Sequence, residues 1–145
     1  MKVRKSLSMV IFLLIVTTLL WGATPIIEKI GLAKVEPLIA VTIRSAIVTA
    51  GLFILTFLLG KGKALMEVDG KGLLTFGASG MMAGLLGMWS YYTVLKMEPT
   101  SKIVPIGACY PLVTALLSVL ILNEGVTMQR LIGTALIVGG IWLVK

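Results

Sequence analysis

The sequence predicts an all-α fold, an integral membrane bundle of five transmembrane helices, and three observations carry that prediction. Hydrophobic residues make up 58% of the chain and charged residues only 13%, with a mean hydropathy of +1.07. So few charges cannot clothe a water-soluble surface. The apolar residues fall in long blocks, most of them near the roughly 20 residues that a helix rising about 1.5 Å per residue needs to cross about 30 Å of hydrocarbon. The blocks do not alternate polar with apolar, and they exceed the strands of a closed barrel, the other structure that lipid permits.

The first block, residues 6–27, follows the basic stretch Lys2, Arg4 and Lys5. That start resembles a secretory signal. The block is longer than a signal core, however, and it runs through Trp21, Gly22 and Pro25 without a small-x-small cleavage site, so it is expected to remain as the first span. The second span covers 37–60, interrupted only by Arg44; the third covers 72–95 and the fourth 103–123. The fifth, 127–145, contains an uncharged run of 14 residues, Leu131 to Val144, whose flanking Arg130 and Lys145 are expected to reach the headgroups. The connections are short, and each holds a turn or stop signal such as Gly31, Gly62, Pro99 or Gly125. Residues 1–145 therefore read as a single membrane domain without internal repeat.

The net charge of +7 does not indicate a nucleic-acid partner. The lysines and arginines flank the apolar blocks, as topology signals do, and form no basic stripe with interleaved aromatics. The lone Cys109 offers neither an intrachain disulfide nor a cysteine metal cluster, and histidine is absent. No nucleophilic triad, phosphate loop or paired carboxylates lie within a span, so neither catalysis nor a cofactor or metal is expected. Lys2, Arg4, Lys5, Lys61, Lys63, Lys71 and Arg130 fall on the amino-terminal face, and Lys29, Lys34, Lys96, Lys102 and Lys145 on the other. That bias favours an inside amino terminus only slightly, which leaves dual topology open.

Within the spans, Pro105, Gly107 and Pro111 break the pattern of the fourth. Each proline removes a backbone donor and crowds the carbonyl four residues back, which suits a segment lining protein or a polar cavity, or a kinked packing helix. In the third span Gly80, Gly84, Gly87 and Tyr91 share one face at α-helical spacing and predict close packing against another helix. Trp89, Tyr91 and Tyr92 read equally as an interfacial belt above Lys96 or as aromatic walls for a ligand. Thr17, Trp21, Thr24 and Glu28 form a polar stripe on the first span beside the kink expected at Pro25. Glu28 sits at the span's end, where it is either a headgroup-exposed carboxylate or a coupling charge.

Arg44 is the sharpest single signal. It lies seven residues into the second span, about 10 Å deep, and an arginine at a span centre costs roughly 2.5 kcal/mol or more by insertion scales. Glu28 leaves the membrane on the face where Arg44 enters it. Arg44 is therefore expected to pair with Glu28, to receive an anionic substrate group, or to snorkel.

The stretch Leu-Leu-Trp21-Gly22-Ala-Thr-Pro, the Thr42-Ile43-Arg44-Ser45 sequence, and Tyr110-Pro111-Leu-Val-Thr114 followed by Asn123-Glu124 and Leu131-Ile-Gly133 through Gly139-Gly140 resemble an EamA-type domain of the drug/metabolite transporter superfamily. The resemblance covers the whole chain. Most members of that family join two such domains, the second inverted, and move small organic metabolites by alternating access. The resemblance thus implies a multi-pass protein of the cell membrane that works as a homodimer, antiparallel if the two copies insert oppositely. On the residue readings above, substrate contacts are expected from Trp21, Thr24, Arg44, Trp89, Tyr91, Tyr110 and Thr114, with bending at Pro25, Pro105 and Pro111. The last helix, with Gly133, Gly139 and Gly140, is similar to the dimerising helix of related four-helix multidrug exporters. Those relatives carry a proton-exchanging glutamate in the middle of the first helix, where this chain has Thr17, Thr18 and Trp21. Proton-coupled cation export is accordingly not carried over. A non-transporting membrane subunit docking a larger partner and a flippase for lipids or lipid-linked substrates are the alternative functions.

Overall fold

A computed structural model describes the backbone of residues 2–125 and 127–143, and the side chains of 7–125, 127–129 and 131–143. The headgroup roles expected of Arg130 and Lys145, and the basic side chains of Lys2, Arg4 and Lys5, lie outside the described residues. Regular structure among the described residues is entirely helical, and it divides into two units, Met1–Lys96 and Met97–Lys145.

The first unit begins with α1, Lys2–Leu32, whose apolar part Leu7–Leu32 is 26 residues long. Pro25 lies inside it and cannot donate to the Trp21 carbonyl. The helix nevertheless continues past Pro25 and ends five residues beyond the predicted boundary at Ile27, because Glu28 and Lys29 find partners described below. The amides of Lys34 and Val35 close the turn on the Gly31 carbonyl at 3.1 and 3.2 Å. Pro37 then opens α2, Pro37–Leu58, at a position where a missing N–H costs nothing. Gly60, at φ 67°, supplies the left-handed residue that stops this helix.

A short helix α3, Gly62–Met66, bridges to the third span. Asp69 caps α4, Gly70–Ser79, by accepting from the Gly72 amide at 2.9 Å. A π-helical segment, Gly80–Gly87, follows, and α5, Met88–Met97, completes an apolar rod of 28 residues, Gly70–Met97. The π segment overturns one geometric expectation. Gly80, Gly84 and Gly87 were placed on one face by α-helical spacing, and the wider i→i+5 turn does not preserve that alignment. Gly87 itself shows why a glycine suits the segment: a Cβ there would stand 3.1 Å from the Met82 carbonyl oxygen.

The second unit contains α6, Thr100–Gly107, α7, Tyr110–Leu122, and α8, Met128–Trp142. The break expected among Pro105, Gly107 and Pro111 falls at Ala108–Cys109, where the helix is interrupted between the two prolines. Pro111 starts α7 in its first turn. Asn123 ends it in the left-handed conformation at φ 53°, and the Glu124 amide returns to the Ser118 carbonyl at 3.2 Å.

Among the described residues four helices are long and apolar enough to cross a membrane: Leu7–Leu32, Pro37–Leu58, Gly70–Met97 and Thr100–Leu122. The region of the predicted fifth span holds a shorter apolar helix, α8, whose 15 residues extend about 22 Å. Apolar side chains point outward along the rods; Leu58 and Phe76 are each 78% exposed. Such a surface is stable in hydrocarbon, where lipid tails are as apolar as leucine. Burial in the first unit concentrates at one end, where Leu32 of α1, Val41 of α2 and Tyr92 and Leu95 of α5 form a cluster with Ala40, Met88 and Tyr91 packed against it.

Candidate functional site

The buried cluster positions three polar side chains. Helices α1 and α5 both run toward the same end of the first unit, and α2 departs from it. Glu28 lies four residues before the end of α1, Arg44 seven residues after the start of α2 and Tyr92 five residues before the end of α5. At about 1.5 Å per residue, each sits roughly 6–10 Å inside its helix terminus. Similar depth lets residues far apart in sequence meet.

They meet at the Glu28 carboxylate. The Tyr92 hydroxyl donates to Oε1 at 2.7 Å, and Arg44 Nε approaches the same oxygen at 3.8 Å. The Glu28 side chain is only 9% exposed, whereas that of Arg44 is 42% exposed. The Tyr92 contact is a short hydrogen bond to an ionisable acceptor, and the Arg44 contact is a looser ion pair beyond hydrogen-bonding length.

Two lysines lock the same end. Lys29 Nζ donates to the Leu95 and Lys96 carbonyls, which belong to the last turn of α5 and lack intrahelical partners. Lys96 Nζ donates in return to the Val35 carbonyl at 2.9 Å, in the turn between α1 and α2. A cation at a helix carboxyl end also complements the helix dipole. Glu28 and Lys29, adjacent in sequence, thus tie α1 to α5 through a hydroxyl and through a helix end.

Beside the carboxylate lies a cavity of about 220 Å³. Gly31, Leu32, Val35, Ala40 and Ile43 form its apolar walls, and Glu28, Arg44 and Tyr92 supply its polar groups. A hollow of about 270 Å³ elsewhere follows α1 alone, lined by Ile11, Leu14, Ile15, Thr18 and Leu19. Its one hydroxyl, on Thr18, donates to the Leu14 carbonyl at 2.8 Å. That hollow is an apolar furrow on a helix surface, whereas convergent polar groups from three helices mark the Glu28 cavity as the site.

The model of the EamA-like transporter family matches residues 8–145. This chain belongs to the EamA-like transporter family. The EamA-like chain is also similar to an uncharacterized transporter in the cobO 3' region of Sinorhizobium sp, with 23% identity over 117 residues that cover 81% of this chain and 82% of the relative. No solved structure matches it. Family and relative together point to a multi-pass membrane transporter rather than to an enzyme.

Among the residues selected from the EamA-like sequence, Glu28 and Arg44 come together, with Pro25 buried three residues before Glu28. Tyr91 packs on the cluster and its ring centroid lies 6.3 Å from that of Tyr92. Trp21 and Trp89 are 67% and 44% exposed and do not line the cavity. Thr24 donates to the Leu20 carbonyl at 2.7 Å, within its own helix. In the second unit Tyr110 is 59% exposed, and Thr114 donates to the Tyr110 carbonyl at 3.2 Å. A Cβ added at Gly80, Gly84, Gly133, Gly139 or Gly140 would meet nothing within 4 Å, so these positions are open on the surface of the chain.

Sequence reasoning missed the role of Tyr92, which it grouped with its aromatic neighbours, and the lysine interlock. A usable signal was present. Spans one and three leave the membrane on the same face, so Glu28-Lys29 and Tyr92 through Lys96 occupy matching depths.

Proposed function

We propose that this protein transports small organic solutes across the cell membrane by alternating access, as a homodimer whose two copies insert antiparallel. The observation that carries the reading is the Glu28–Tyr92–Arg44 cluster, a polar site gathered from three apolar helices in a chain that belongs to a transporter family. Charged groups within membrane helices are costly and are kept where they serve a pathway or hold a bundle together. In this account α8 is the fifth span and an interface element, its Gly133, Gly139 and Gly140 allowing close approach of a second copy. The nearly balanced lysines and arginines on the two faces support insertion in both orientations. Trp21, Thr24, Trp89, Tyr91, Tyr110 and Thr114 line the path in the assembled pair, and Pro25, Pro105 and Pro111 take up the bending between its two states.

Purified protein in liposomes should accumulate at least one small organic solute against protein-free vesicles. Failure to move any solute from a broad panel under every imposed gradient contradicts the proposal. Reporters fused after Lys145 should signal from both faces; a single clean orientation rules out the antiparallel pair.

A further inference from the structure

Resting on the transport reading, we infer that the Glu28 cavity selects small carboxylates with an apolar body, that Arg44 is their receptor, and that Glu28 occupies the receptor as an internal substitute for the ligand. The two partners of the ion pair are unequal. Glu28 is nearly buried and holds a short hydrogen bond from Tyr92. Arg44 is far more exposed and meets Glu28 at 3.8 Å from Nε, although a guanidinium carries five donors in a planar fork. Among the described residues Glu28 is the acidic side chain within ion-pair reach of Arg44. The fork is thus held loosely by a carboxylate that has a better partner elsewhere. Its planar geometry matches a second carboxylate in a bidentate pair, which is shorter and stronger than a contact at 3.8 Å.

The surroundings favour an anion over a cation. Around this end of the first unit Lys29, Lys34, Arg44 and Lys96 outnumber Glu28 and Glu36. Lys96 does not line the cavity, but its ammonium is fastened to the carbonyl of Val35, a wall residue, and so adds positive charge to this end of the unit. Such an excess raises the local concentration of anions at a low-dielectric mouth. A cation, by contrast, would have to displace Arg44 from Glu28 and remain beside it. The remaining walls, Leu32, Val35, Ala40 and Ile43, offer no hydrogen bonds from their side chains, so the rest of the ligand is apolar. The volume of about 220 Å³ equals roughly seven waters at liquid density, enough for a compact ring or a branched chain.

Because Glu28 and the ligand compete for one guanidinium, removing the Glu28 charge should tighten binding. Isothermal titration of benzoate, benzamide and benzylamine into the full chain in neutral-lipid nanodiscs tests this, with empty nanodiscs subtracted. Benzoate is expected to bind at least tenfold more tightly than its neutral and cationic counterparts. Arg44→Gln should weaken benzoate at least tenfold, Arg44→Lys should restore part of it, and Glu28→Gln should tighten it threefold or more. Circular dichroism and elution as a single species establish that each variant is folded. Should Glu28→Gln fail to fold, Tyr92→Phe replaces it and should weaken benzoate binding threefold or more, since a Glu28 carboxylate that has lost its hydroxyl donor competes harder for Arg44; a Tyr92→Phe variant that binds benzoate more tightly overturns the inference. Preference for benzylamine, tight benzoate binding by Arg44→Gln, or a Glu28→Gln variant that binds benzoate more weakly overturns the inference. So does absence of benzoate binding in a preparation that moves other solutes in liposomes, a result that leaves the transport reading intact.

Discussion

Replacing Tyr92 by phenylalanine removes one oxygen and leaves the ring in its place among Leu32, Val41 and Leu95. The lost contact is the 2.7 Å hydrogen bond to Glu28 Oε1. Hydrogen bonds to charged groups contribute about 1.5–3 kcal/mol in soluble proteins, whereas interhelical ones in membranes average about 0.6 and reach about 1.7 kcal/mol. The 9% exposure of the Glu28 side chain argues for the upper membrane value, because little water can replace the hydroxyl. Arg44, already beside the same oxygen, recovers part of the loss. The expected cost is about 1.5 kcal/mol, close to a tenfold shift in the folding equilibrium. Titrating micelle-dispersed protein with sodium dodecyl sulfate and following tryptophan fluorescence reads it, since Trp89 lies three residues from the change. In a Glu28→Gln background the same substitution should cost less than half as much, as coupled partners require. A Tyr92→Phe variant within about 0.3 kcal/mol of wild type, below the membrane average, would refute the view that this bond fastens α1 to α5.

The other consequences concern the ends and breaks of the helices. Lys29→Met should lower stability by about 1–2 kcal/mol in the same titration by leaving the last carbonyls of α5 without their donor, and Lys29→Arg should recover most of it. Gly87→Ala should disturb the π segment, because its Cβ would press on the Met82 carbonyl at 3.1 Å, whereas Gly84→Ala should be silent; amide hydrogen exchange across 80–92 distinguishes the two. Asn123→Gly should be neutral or mildly stabilising at φ 53°, and Asn123→Val should cost about 1–2 kcal/mol in thermal unfolding.

The membrane character of the chain was legible because hydrophobic block length is a direct record of bilayer thickness, and four of the blocks are helices of spanning length. Boundaries were less so. Glu28 and Lys29 mark a span's end by charge alone, yet α1 runs on to Leu32 because both side chains are satisfied by α5, a partner no local pattern reveals. The interruption at Ala108–Cys109 was foreshadowed by Pro105 and Pro111, since proline acts through its own backbone. The π segment was not foreshadowed, because glycine spacing of four and three fits an ordinary helix and the choice of wider turn depends on i→i+5 geometry. Arg44 announced itself by its cost in lipid, and Glu28 by its matching depth. Tyr92, chemically indistinct from Tyr91 in sequence, was separable only by its orientation.

The central claim is that this EamA-like protein moves solutes by a path that engages Arg44. Uptake by liposomes holding wild type, Arg44→Lys or Arg44→Ala, measured over one panel of small organic solutes, tests it most directly. Wild type should transport at least one solute, Arg44→Ala should lose at least tenfold of that rate, and Arg44→Lys should fall between them. Equal rates for all three proteins would contradict the account.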